Sequence, residues 1–141
     1  MTDNFSSSDA HIDVTRKVAA QRQINAAIAH IKKSELECAI TLAAAAEGML
    51  PDTTKNHAFG YLRQHSAFIN KEVDFNETIN WLKHPNEPDR KIIFEQEAAF
   101  VIFRAMSKFG AVYDEGPLEW DEFLHWGVER GFWPDFLSKR L

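Results

Sequence analysis

At 141 residues the chain has the length of one ordinary domain. Hydrophobic residues make up 45% and charged residues 26%, a balance that supports a packed core and excludes wholesale disorder. A net charge of −5 and a single cysteine exclude a basic duplex-DNA footprint, an intrachain disulfide and a cysteine-based zinc site.

Residues 1–11 read as an acidic, serine-bearing tail ahead of one domain over 12–141. They lack the basic and apolar segments of a secretory leader. No run of about 18 apolar residues follows that would cross a membrane, so the cytoplasm is the expected location and no membrane partner is expected. From Asp13 the spacing predicts a helix. Val14, Val18, Gln21, Ile24, Ile28 and Ile31 form an apolar stripe with one polar interruption. Arg16, Lys17, Arg22 and Gln23 lie on the opposite, outer face, and Lys32 and Lys33 suit the negative end of the helix dipole.

Ser34-Glu-Leu-Glu37 has the form of a capping box and predicts a second helix over 35–47, which implies an antiparallel hairpin. Leu36, Ala39, Ile40, Ala43 and Ala46 form its inward side, and Cys38 reads as a small buried hydrophobe. Gly48 and Pro51 are the expected stop. A third helix over 55–70 is weaker, interrupted by Gly60 and a polar run near Gln64. Asp74-Phe-Asn-Glu77 resembles a capped start for a helix over 75–83 that buries Phe75, Ile79 and Leu82. Pro85 and Pro88 then force a loop, and Lys91 to Phe94 is the one extended candidate.

Residues 94–112 give the strongest helix, apolar over so much of its surface that it belongs at the centre. Gly110 is a possible early end. Pro117 starts a shorter helix, 118–130, with Leu118, Phe123, Leu124, Trp126 and Val128 inward and Gly131 as its stop. Trp133 to Leu137 reads as a last aromatic turn or short helix. Together these elements predict an all-α bundle of about four or five main helices. The four tryptophans, all in the second half, read first as core builders; Trp120, Trp126, Phe132 and Trp133 are also candidates for an exposed aromatic patch, the kind of surface that takes a protein partner.

Several other patterns stop short of a site. Glu122 and His125 make one Glu-x-x-His, where a di-iron bundle needs two and further glutamates. His57 and His65 stand two helical turns apart, too far for a metal clasp. Asp114, Glu115, Glu119, Asp121 and Glu122 lack the glycine and alternating ligands of a calcium loop and read as a solvated helix start. No metal ligand set and no cofactor motif is expected.

Three segments carry a family resemblance. Ala27-Ile28-Ala29-His30-Ile31, then Ala39-Ile-Thr-Leu-Ala-Ala-Ala-Ala-Glu47, then Asn80-Trp-Leu-Lys-His84-Pro-Asn-Glu-Pro-Asp89 ahead of a long helix occur in that order. The arrangement, over roughly residues 14–113, resembles small bacterial proteins related to the HEPN (higher eukaryotes and prokaryotes nucleotide-binding) superfamily. The resemblance implies an up-and-down helical bundle that commonly dimerises. Active members are metal-independent ribonucleases that use an arginine, a polar residue and a histidine. Asn80 and His84 match the polar residue and the histidine, at an i, i+4 spacing that shares one helix face. The arginine has no counterpart, since Thr78 and Ile79 precede Asn80.

The expectation is therefore a non-catalytic binding or regulatory module that works as a homodimer. The alternative is an HEPN-like ribonuclease or nucleotide-binding module using Asn80 and His84. Trp81 and Lys83 within that stretch, Arg90 after it, and Trp126 and Trp133 in the aromatic segment are the candidate binding residues.

Overall fold

A computed structural model describes residues 9–52 and 75–135. The expected helix over 55–70, with His57 and His65, lies outside the described residues, as do Asp74 and the side chain of Phe75. Five α-helices and no strand occur among the described residues: α1 (Arg16–Lys32), α2 (Leu36–Met49), α3 (Phe75–Lys83), α4 (Glu95–Tyr113) and α5 (Glu119–Glu129). Lys91 to Phe94, the extended candidate, has no regular structure. No described helix is long and apolar enough to cross a membrane.

The first helix starts later than expected. Thr15 is its N-cap, and its hydroxyl accepts from the Val18 N–H at 3.2 Å. Its inward stripe is Ala20, Ile24, Ala27 and Ile31, so Val14 and Val18 stay exposed. The alanines explain the shift: a seam against α2 needs small side chains at closest approach, and the bulk sits one step away. Gln23 is half-buried instead of outward, and its Oε1 is buried without a hydrogen-bond donor.

The turn into α2 also differs from the capping box read in the sequence. Ser34 has φ 63° and stands beyond the end of α1. Its N–H donates to Ile31 O at 3.1 Å, and the Glu35 N–H donates to His30 O at 3.0 Å. This pair of bonds is a Schellman motif with serine in the place usually held by glycine. The side chains flanking it reinforce the turn, with His30 Nδ1 2.9 Å from Glu35 Oε1. Glu35 is the N-cap of α2 and makes no side-chain cap. Gly48 does not stop the helix, which runs on to Met49. At that end Arg16 Nη1 donates to Met49 O at 3.3 Å, so α1 and α2 run back alongside each other.

Every residue of α2 expected inward is buried except Leu36, which is half-buried. Cys38 is half-buried too, not enclosed. α4 lies against both α1 and α2. Nine of its residues, from Ala98 to Phe109, are buried. It continues past Gly110 to Tyr113, where Asp114 closes it in the left-handed conformation (φ 54°). Glu47 of α2 is turned toward α4: its carboxylate accepts from Arg104 Nε at 2.5 Å and its carbonyl from Lys108 Nζ at 3.1 Å.

The short α3 packs on α2 and α4. Ile79 is buried as expected and Leu82 only half-buried, and among the described side chains of the helix the most buried is Thr78. Its hydroxyl donates to Glu97 Oε1 at 2.8 Å, while Glu97 Oε2 accepts from the Phe94 N–H at 2.7 Å. One carboxylate thus caps α4 and fastens α3 to it.

α5 begins at Glu119, which leaves Leu118 outside the helix and exposed, against expectation. It reaches the core through large rings. Trp120 meets Phe109 edge-on at 5.1 Å and its Nε1 donates to Asn25 Oδ1 at 2.7 Å. After Glu129 the chain turns through Gly131 (φ 75°), with Gly131 N–H donating to Val128 O and Phe132 N–H to Gly127 O. This second Schellman motif swings Trp133 back onto α5 and into the core.

Candidate functional site

Asn80 and His84 lie at the C-terminal end of α3, and both are exposed. Asn80 is in the last turn. His84 is the first residue beyond the helix, and its carbonyl accepts from the Glu87 N–H at 3.4 Å. Lys83 beside them is exposed, as is Arg90 in the loop. Trp81 is half-buried, and its Nε1 donates to Pro88 O at 2.6 Å, which folds the proline loop back on α3. Trp81 is therefore the strut of this loop. Lys91 continues the same fastening through an ion pair with Glu77 at 3.2 Å. The stretch that carries the resemblance thus forms an open helix end on which His84, the Asn80 and Asn86 amides, Lys83 and the carboxylates of Glu87 and Asp89 are exposed, with Arg90 just beyond it.

The aromatic segment divides between core and surface. Trp120 and Trp133 are core residues, so neither presents a ring at the surface. Trp133 is packed by Phe103 at 5.0 Å, Phe123 at 5.8 Å and Phe100 at 5.9 Å, and its Nε1 donates to Leu124 O at 2.8 Å. Of the four rings, Trp126 and Phe132 remain half-exposed, 5.7 Å apart. Trp126 also carries the Arg130 guanidinium over its face at 5.0 Å, and Arg130 in turn donates to Glu95 at 2.9 Å.

Glu122 and His125 are exposed on α5, and no group of three His, Cys, Asp or Glu side chains is placed to hold a metal among the described residues. Asp114, Glu115, Glu119, Asp121 and Glu122 are all exposed. Glu115 pairs with Lys17, whose ammonium lies over the Tyr113 ring at 5.4 Å. An open cleft of about 290 Å³ lies beside this pair, lined in part by Gln21, Phe109 and Glu119.

One surface was not anticipated from sequence. The outward side of α2 carries Glu37, Thr41, Ala45 and Gly48, all exposed, flanked by half-buried Cys38, Leu42 and Met49. Of the fourteen residues of α2 only Glu37 and Glu47 are charged, and Glu47 is engaged by Arg104. Solvent-facing helices ordinarily carry a charged side. A shallow depression of about 260 Å³, lined by His30, Glu37, Cys38, Thr41 and Leu42, continues this face onto α1. The signal was present in the run of alanines, of which Ala43 and Ala46 face inward and Ala45 is exposed.

Partial burial pushes the Cys38 thiol above its ordinary range, and the Glu37 carboxylate, 3.6 Å from its sulfur, pushes further in the same direction. A raised thiol pKa means little thiolate near neutrality. Cys38 should therefore be alkylated by iodoacetamide more slowly than free cysteine at pH 8, with a rate that inflects at higher pH. An inflection below that of free cysteine would contradict this.

No family model, no curated protein and no solved structure matches the chain.

Proposed function

We propose that this chain is a non-catalytic binding module that works by self-association, on a helical bundle of HEPN-like type. The observation that carries the reading is the outward side of α2, where Thr41, Ala45 and Gly48 are exposed and Glu37 is the one charged residue. The long apolar helix α4 is occupied by the chain's own core and contributes nothing to the reading. Sedimentation velocity across the micromolar range tests the reading, with a concentration-dependent shift from monomer to dimer expected. A strict monomer at the highest soluble concentration would overturn it.

The alternative, an RNA- or nucleotide-directed activity at the end of α3, is favoured by one observation. Asn80, Lys83 and His84 stand exposed together at one helix end. Against it, His84 lies outside the helix on open surface. General acid–base catalysis needs a proton partner within hydrogen-bond reach of the substrate, and an arginine for phosphate charge has no counterpart in the motif. Incubation with single-stranded RNA in excess chelator should leave the RNA intact. Cleavage that disappears in His84→Ala would establish the alternative instead.

A further inference from the structure

Residues 75–94 are fastened at two levels. Within the stretch, the loop after α3 runs back along the helix. Trp81 Nε1 donates to Pro88 O at 2.6 Å, and Lys91 Nζ pairs with Glu77 at 3.2 Å. The loop partners rise in number as the helix partners fall, so helix and loop brace each other as one antiparallel strap. Two hydrogen bonds to a single residue of α4 then tie the strap to the bundle. Glu97 Oε1 accepts from the Thr78 hydroxyl at 2.8 Å, in the helix. Glu97 Oε2 accepts from the Phe94 N–H at 2.7 Å, where the loop ends. One carboxylate therefore grips the strap at both of its arms.

The apolar anchorage beside this grip is small. Of the described side chains of α3, Thr78 and Ile79 are buried, Trp81 and Leu82 are half-buried, and Asn76, Glu77, Asn80 and Lys83 are exposed. Nine residues are also fewer than the roughly 12–15 that a helix needs to persist unaided in water. α3 therefore keeps its helical form by docking.

We infer that α3 and its return loop are a latched strap, which lifts from the bundle as one unit when Glu97 and Thr78 part, below the free energy of global unfolding, and that α3 melts as it lifts. Stretches with few buried apolar contacts open in cooperative units of this kind. The device has a consequence for the surface at the end of α3. Asn80 and Lys83 stand in its last turn and His84 directly after it, so the helix is what groups them. They form one cluster while the latch is closed and lose their common geometry when it opens. The bond that controls them lies on the buried side of the helix, away from all three. The inference stands apart from self-association and needs no second copy.

Hydrogen exchange of the full chain, followed residue by residue by NMR, tests it. The reporters are the backbone N–H groups of residues 79–83, the Trp81 indole N–H and the Phe94 N–H. In the parent they should share one opening and exchange faster than the buried amides of α4 between Ala98 and Phe109. Thr78→Val keeps the shape of the side chain and removes the donor. It should speed all the reporters together by about tenfold or more, the usual loss for a hydrogen bond to a charged group, and leave the centre of α4 unchanged. Phe94 is the decisive reporter, because its N–H bonds the other oxygen of Glu97, which the substitution does not touch. Thr78→Ser retains the hydroxyl and should stay within about threefold of the parent. Circular dichroism checks that both variants are folded, and the parent measurement needs no variant. Reporters as slow in the parent as the centre of α4 would overturn the separate opening, as would equal acceleration of that centre in Thr78→Val. Acceleration confined to α3, with Phe94 unmoved, would overturn the single unit. A Thr78→Ser variant as fast as Thr78→Val would overturn the latch.

Discussion

Replacing Gly127 with alanine should destabilise the fold by about 3 kcal/mol, at the upper end of what overpacking a core ordinarily costs. A Cβ at position 127 would sit 1.9 Å and 2.2 Å from two ring carbons of Trp133. The ring cannot retreat, because Phe100, Phe103 and Phe123 surround it and its Nε1 is held by Leu124 O. Elsewhere in a helix the same change would help by up to about 1 kcal/mol, since alanine has the better helix propensity. Urea denaturation followed by circular dichroism measures the difference. A variant as stable as the parent would show that Trp133 does not rest on Gly127.

The second large effect comes from the other partner. Trp133→Ala should cost about 4 kcal/mol, within the usual range for removing a large buried aromatic side chain. It empties a space lined by three phenylalanine rings and removes the hydrogen bond to Leu124 O. The two substitutions should also be strongly non-additive, as residues in direct contact are. With the indole gone, Gly127→Ala has nothing to strike and should become neutral or slightly stabilising, through propensity alone. That reversal of sign is specific to the contact. Two independent losses that simply add would contradict it.

Much of the helical content was legible because its signals are local. The spacing of Ala39, Ile40, Ala43 and Ala46 marks a helical face whatever packs on it. The bounds of α3 and the centrality of α4 could be read the same way, from apolar periodicity and density. What failed were choices decided by partners distant in sequence. Val14 and Val18 fit the period of an inward stripe, but the seam selected the smaller Ala20 and Ala27. Ser34 looked like an N-cap because Glu37 stands three residues on. It serves the preceding helix instead, an outcome set by a left-handed turn that serine seldom takes. Trp120 and Trp133 read first as core and only secondarily as part of an exposed patch, and core is where they lie; the turn that carries Trp133 inward runs through Gly131, and the lack of a side chain at Gly127 gives its ring room.

The candidate site was legible in composition and not in arrangement. Asn80 and His84 share a helical spacing, but a spacing says nothing of whether the last residue stays in the helix. Pro85 directly after His84 was the hint, since the residue before proline is pushed out of helical conformation. The outward side of α2 was hidden for a different reason. Alanine is compatible with both an interior and an exposed helix surface, so a run of four gives no sign of which ones remain open.

The position of Trp133 bears on how the chain is made. The rings that it covers on α4, Phe100 and Phe103, leave the ribosome about thirty residues ahead of it. At roughly 5–20 residues per second that interval lasts about 1.5–6 s. Throughout it the most aromatic side of the central helix has no lid. Nascent chains are therefore at their stickiest between the synthesis of α4 and the arrival of this one indole.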